Sequence, residues 1–390
     1  TESVDDFDGV ELSENSQEIV IGSAPLTFAE RYAKVDLLPS ACNAPIGDTP
    51  AEIYHHVWHT FNEYYAFFNE RHVDWLAQFD ATRDRISDGM ADAELFAVLT
   101  ELIAPLDDEH VLLQASGQSF FSPATPKGLL AQLLREFEAQ DQLTDPNEFI
   151  SRELAQWDAN IRDVYLEGDV ETAGDETFIW GTIGDDIAYL RIDAMLFDLE
   201  SAIQDQVEEA ESTLDQVLTD LQDTDAMIVD IRLNPGGADP FALAIARRFA
   251  DSERLSVSKY TRTVDGDGGP QSVTIGPVNR PSYQKPVVLI TSGFSTSAAE
   301  VFTLAMRAWP NVTHIGEPTN GSLSDVLSKP LPNGWAFELA NEVYLDADEN
   351  SFEATGIPPA IETPIFRKEE RAMGQDSGLN AALQYLGVDI

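Results

Sequence analysis

Val287-Val-Leu-Ile-Thr291 is a short apolar, β-branched run, and Ser-Gly-Phe-Ser-Thr-Ser follows it directly. Such a run bounded by turn residues reads as a buried strand. Beyond the turn, Ala299, Phe302, Leu304 and Met306 recur at roughly helical spacing. A buried strand feeding straight into a helix is the repeating unit of an α/β core, and that constrains the rest of the chain. The junction places Ser297 where a helix begins. Helix-start N–H groups and the helix dipole favour developing negative charge there, which suits a nucleophile. Serine is also a preferred N-cap, so on this stretch alone capping is the simpler reading.

The same alternation runs through the second half of the chain. Phe178–Ile183 and Ile187–Ile192 flank Gly184-Asp-Asp and predict a hairpin. An amphipathic helix is expected near 199–221, then a buried strand at 226–232 and the loop Asn234-Pro-Gly-Gly237. Residues 240–250 read as helix and 255–263 as strand, with a polar turn at Gly266–Gly269. Strands follow at 312–316, 323–331 and 335–345. Upstream the period is helical: Ile53, Val57, Phe61, Tyr64, Tyr65 and Phe68 step by three and four, and helices are expected at 74–78 and 91–103. The fold class expected is α/β. Its divisions are an acidic arm over 1–49, loosely ordered through about residue 20, a helical domain over 50–115, a helical insert or cap over 116–176, and a core over 177–390.

Charge narrows the partners. The chain carries 69 acids against 23 bases, a net charge of −46, so nucleic acid and anionic membrane surfaces are poor partners. Only six bases are lysine (34, 127, 259, 285, 329, 368), a balance that fits a salty habitat or an acidic extracellular protein. No apolar run approaches the ~20 residues of a membrane span. Cys42 stands alone, so there is no intrachain disulfide, and Leu38-Pro-Ser-Ala-Cys42 lacks the apolar run of a lipoprotein site. The chain opens on Thr1, compatible with a removed signal peptide, and a secreted or periplasmic location is expected. His55 and His59 share a helix face, but His-Val-Trp-His lacks the glutamate of a zinc protease motif. No metal and no cofactor are expected.

Five segments, in order from about residue 52 to 366, resemble peptidase family S41, the tail-specific and tricorn-core proteases. Asp230-Ile-Arg-Leu-Asn-Pro-Gly-Gly237 resembles D-x-R-x-N-x-G-G, Ser297-Ala-Ala-Glu300 the S-A-x-E around the nucleophile, and Gly316-Glu-Pro-Thr-Asn-Gly321 the G-E-P-T-x-G loop. Tyr64–Trp75 with Leu106-Asp-Asp-Glu-His110 resembles the helical domain of the tricorn-like branch, and Glu353-Ala-Thr-Gly-Ile-Pro358 its E-x-x-G-[VI]-x-P segment. In the serine–lysine branch a lysine follows the second glycine of G-E-P-T-x-G. Here Ser322 stands there, which rules out that dyad, and Lys329 falls in a neighbouring strand. No PDZ module is evident, and Pro359 replaces a usual aspartate.

The resemblance implies a ClpP/crotonase-like spiral ββα core. It also implies a triad of Ser297 as nucleophile, His110 as base and Glu353 as the acid orienting it. An oxyanion hole from the N–H of Ala298 with that of Gly236 or Gly237 is expected, since glycine lets backbone approach a carbonyl. Arg232 and Glu300 are expected to pair and brace the loops, with Ser322 in support. The partner expected is a peptide or protein substrate. Two alternatives stand beside a peptidase: an inactive relative binding an apolar ligand or peptide, and a hydrolase of non-peptide esters or amides.

Overall fold

A computed structural model describes residues 47–140, 145–264 and 266–388, together with residues 34, 36 and 37 and the strands Val10–Leu12, Glu18–Ile21 and Glu30–Ala33. Cys42 lies outside the described residues. The chain divides into two compact units, each assembled from separate segments. The first holds 1–125, 258–273 and 324–345, and the second 126–257, 274–323 and 346–390.

In the first unit the expected helices form at Pro50–Tyr64, Trp75–Thr82 and Asp92–Ile103. Thr49 and Glu52 start the first by reciprocal capping, and the Asp74 carboxylate starts the second by accepting from the Ala77 N–H. Their apolar faces (Ile53, Val57, Phe61, Leu95, Leu99, Leu102) pack against Phe337 and Leu339. Those two residues belong to an antiparallel sheet ordered Val326–Pro330, Ala336–Ala340, Leu112–Ala115, Gln118–Phe121. Glu342–Leu345 instead pairs with Ser258–Thr261. Toward the N-terminus, Val10–Leu12, Glu18–Ile21 and Glu30–Ala33 form an antiparallel sheet. The reading of a loosely ordered arm through about residue 20 is corrected there, because Val10–Leu12 finds a ladder partner in Ile19–Ile21.

The second unit is built on a seven-stranded sheet ordered Ile361–Glu362, Val312–Gly316, Val287–Thr291, Ala226–Asp230, Ile187–Ile192, Phe178–Ile183, Glu167–Ala173. Neighbours from Ile361 to Ile187 are parallel, and the last two pairings are antiparallel. The hairpin at 184–186 forms as expected, with Ile183 opposite Ile187. Helices Ile203–Asp220, Asp239–Ala246 and Ala298–Arg307 connect the strands, giving the mixed α/β core the alternation requires. Residues Ala298 to Met306 are all buried, so the serine helix is central. Ile228, Val288, Ile290 and Ile315 pack with Leu129, Leu133, Phe149 and Trp157 from helices Gly128–Glu138 and Pro146–Asn160, and with Leu379 and Leu383 from Ser377–Tyr385. The middle block is therefore helical only in its centre. At its ends Gln118–Phe121 and Glu167–Ala173 are strands, because each finds a hairpin partner within its own unit.

Register brings Ile290 level with Asp230, and Thr291 level with Gly316. The motif loops that follow those strands thus leave from one end of the sheet, the end where open α/β sheets carry their sites.

Candidate active site

Ser297 sits at φ 56°, ψ −126°, a backbone conformation that L-residues rarely adopt. The turn before it is stitched to the neighbouring strand's exit: Ser292 Oγ donates to the Arg232 carbonyl, Ser295 Oγ to Ile231, and Thr296 N–H to Asn234. Its own N–H donates to the Ser322 carbonyl (3.0 Å) and to Glu300 Oε2 (3.3 Å). The Ser297 side chain makes no capping hydrogen bond. Ser297 thus holds the N-cap position of this helix, with the Glu300 carboxylate reaching back to its N–H.

Against this turn lies Asn234-Pro-Gly-Gly237. Gly236 has φ 96°, and a Cβ there would stand 2.7 Å from Ser297 Cβ and 3.0 Å from the Ala298 nitrogen. Only glycine allows that approach. The buried Asn234 side chain shapes the loop, donating to Ile192 O (3.0 Å) and accepting the Gly236 N–H (2.8 Å). Gly236 is thereby spent as a donor. Among the described residues neither the Ala298 nor the Gly237 N–H donates a hydrogen bond.

Glu300, one turn into the helix, is fully buried and collects donors from the loop after Val312–Gly316. Oε1 accepts from Thr319 Oγ1 (2.5 Å) and Gly321 N–H (2.8 Å), and Oε2 from Ser322 N–H (2.8 Å) and Ser297 N–H. Burial pushes its carboxyl up to about 7, although those four hydrogen bonds pull the other way. The next residue in this loop, Leu323, donates its N–H to Glu353 Oε2 at 2.9 Å, and Glu353 is itself buried. The loops carrying Gly321 and Glu353 lie backbone against backbone. Ala354 N–H donates to Gly321 O, and a Cβ on Gly356 would reach within 2.0 Å of Thr319 O. One short segment, 319–323, thus connects Ser297, Glu300 and Glu353.

Arg232 does not pair with Glu300 as expected. It is buried between Asp230 (Nη2–Oδ2 2.6 Å) and Asp376 (Nη1–Oδ1 2.7 Å), and its guanidinium stacks 4.9 Å from the Trp157 ring. Burial would raise the Asp230 carboxyl, but Arg232 holds it below the usual range. Trp157 Nε1 donates to Asp376 and Tyr189 hydroxyl to Asp230. The middle segment also reaches these loops: Leu129 N–H donates to Glu317 Oε2, and Lys127 Nζ to the carbonyls of Asn320 and Ala354. Asp376, Trp157 and Lys127 were not legible as site neighbours, because no local spacing connects them to Arg232 or to the loop at 320.

His110 belongs to the first unit, at the end of a turn that starts with Asp107 in a left-handed conformation (φ 52°). The fully buried Asp108 organises the turn, accepting from the His110 N–H (2.9 Å) and the Tyr65 hydroxyl (2.7 Å) and facing Arg71 (3.3 Å). His110 Nδ1 is buried and has no hydrogen-bond partner among the described residues. His314 Nε2 meets Thr291 Oγ1 at 2.6 Å, and burial drops its pKa to about 3. His55 and His59 lie among Tyr54, Trp58 and Phe79, and no metal-holding cluster occurs among the described residues. Lys329 lies in Val326–Pro330, over the Tyr64 ring.

Residues 186–363 match the model described as peptidase family S41. That stretch belongs to peptidase family S41. It contains Ser297, Glu353 and both glycine loops, while His110 and Lys127 fall outside it. A second match, to the tricorn protease C1 domain, covers residues 47–104. The chain is 30% identical over 143 residues to the carboxy-terminal processing protease CtpA of Bacillus subtilis, covering 36% of this chain and 29% of that protein. The carboxy-terminal-processing protease of Bartonella bacilliformis is 25% identical over 189 residues, 47% of this chain and 40% of its own. The chain thus matches less than half the length of either relative. The fold is also that of a protein from Parabacteroides merdae assigned as a peptidase (TM-score 0.69, 24% identity, 87% of this chain and 97% of that one). Mature CPAF, solved with lactacystin, shares it too (TM-score 0.59, 14% identity, 87% and 97%). No helix among the described residues is long and apolar enough to cross a membrane.

Proposed function

We propose that the protein is a serine peptidase in which Ser297 attacks the peptide carbonyl and His110 takes the hydroxyl proton, then passes it to the leaving amine. Glu353 orients the imidazole. The observation that carries this reading is the Ser297 turn: a serine held at positive φ at a helix start, pressed against the Gly236 loop. Membership of the S41 family supports the reaction class. His110 is assigned by resemblance. The oxyanion donors are the N–H groups of Ala298 and Gly237, since Gly236 already donates to Asn234. Each such donor is worth about 2.7–4 kcal/mol to the transition state. With Ser322 in place of a lysine, no serine–lysine dyad operates at that position.

The test is hydrolysis of an unfolded protein substrate and of a small aryl ester by wild type and by Ser297→Ala. Protein cleavage lost in the variant supports the peptidase. Ester turnover without protein cleavage would point to a non-peptide hydrolase. Neither activity in folded wild type, across neutral pH and at low and high salt, overturns catalysis and leaves a binding protein.

A further inference from the structure

We infer that Lys127 is a positioning residue for Glu353, acting through the backbone of Ala354; the inference rests on Glu353 being the acid of the triad. Ala354 has φ 63°, the left-handed region that a residue with a Cβ enters only when its surroundings hold it there. Both of its backbone polar groups are held. Its N–H donates to the Gly321 carbonyl at 2.8 Å, and its carbonyl accepts from Lys127 Nζ at 2.8 Å. The same ammonium donates to the Asn320 carbonyl at 2.5 Å. An ammonium carries three donors and makes charge-assisted bonds, so one lysine clamps the two loops together at the residue following Glu353.

The position of Lys127 is itself fixed. Two residues on, the Leu129 N–H donates to the buried Glu317 at 2.9 Å, and Leu129 is buried in the core. Neither matched stretch, 47–104 or 186–363, includes residue 127. The clamp is therefore supplied by the middle segment of this chain. Without the ammonium, Ala354 gains by relaxing out of the left-handed region, and the Cα–Cβ direction of Glu353 turns with it. A displacement of about 1 Å in a group that orients the base costs up to about a hundredfold in rate.

The experiment compares full-length wild type with Lys127→Met, Ala354→Gly and the double variant. The readouts are the rate of fluorophosphonate labelling of Ser297, kcat and KM on a peptide, and the thermal midpoint. Lys127→Met is expected to slow labelling and lower kcat by about tenfold to a hundredfold, with KM little changed. Glycine adopts a positive φ without strain, so Ala354→Gly in the Lys127→Met background is expected to recover most of that loss. A purely structural lysine would give neither the kcat-against-KM split nor the glycine rescue. Should Lys127→Met fail to fold, Lys127→Gln in the Ala354→Gly background replaces it. Wild-type labelling unchanged by Lys127→Met, or a loss that glycine does not relieve, overturns the positioning role alone. No labelling of wild type overturns the triad and this inference with it.

Discussion

Glu300→Gln separates stability from reactivity in one substitution. The carboxylate accepts four hydrogen bonds, two on each oxygen, and an amide can accept on only one side. With the amide nitrogen at Oε1, the Thr319 hydroxyl can rotate to accept, but the buried Gly321 N–H loses its partner. An orphaned buried donor costs about 1–3 kcal/mol. Against this, the wild type carries the cost of an ionised buried acid. Raising a carboxyl from 4.5 to about 7 disfavours the charged form by about 3 kcal/mol. The two terms nearly cancel above pH 7, so the variant is expected to melt close to wild type. Reactivity does not cancel, because the lost bond is the one that ties Gly321, beside Ser322, to the serine helix. Fluorophosphonate labelling at pH 8 is expected to fall by at least about tenfold, the effect of roughly 1.4 kcal/mol. The pH dependence carries a sign that distinguishes this account. The folded-state pKa lies above the unfolded one, so this group's contribution to stability is fully present below about 4.5 and is lost as pH rises through about 7. Labelling should move oppositely, rising through the same window as the acceptor form appears, and the Glu300→Gln variant should lack that component. A variant that labels at the wild-type rate with the wild-type pH profile would refute the reasoning.

Two further substitutions probe the supports around the serine. Gly236→Ala forces a Cβ to 2.7 Å from Ser297 Cβ and Thr296 O at a φ of 96°, so stability should fall by about 1–3 kcal/mol and labelling with it, read by denaturant melts and probe kinetics. Asp376→Asn leaves the buried Arg232 charge with Asp230 alone and should cost about 3–5 kcal/mol in urea unfolding; a loss under about 1 kcal/mol would show that the ion cluster is not holding the C-terminal helix to the core.

The sheet and its helices were legible because their signals are local. Val287–Thr291 and Val312–Gly316 occur at the residues the apolar runs mark, and Gly184-Asp-Asp turns the hairpin it predicts. Pairings between distant segments were not. Nothing near Ala336–Glu338 indicates that it will lie beside Leu112–Gln114, and edge strands such as Glu167–Ala173 are too acidic to carry an apolar alternation. The site divides the same way. Ser297, Glu300 and Glu353 announced themselves as motif residues, but the partners of Glu300 did not. A buried carboxylate takes whatever backbone N–H groups the fold delivers, and here these come from 297, 321 and 322 rather than from Arg232. Arg232 found Asp376, 144 positions away, and Lys127 found Asn320 and Ala354 from outside the motif-bearing stretches.

The most direct measurement is fluorophosphonate labelling followed by mass spectrometry of the modified peptide. The account predicts one adduct, on Ser297, which disappears in Ser297→Ala and in a folded His110→Ala variant. An adduct on another residue, labelling that survives His110→Ala, or none in folded wild type would contradict it.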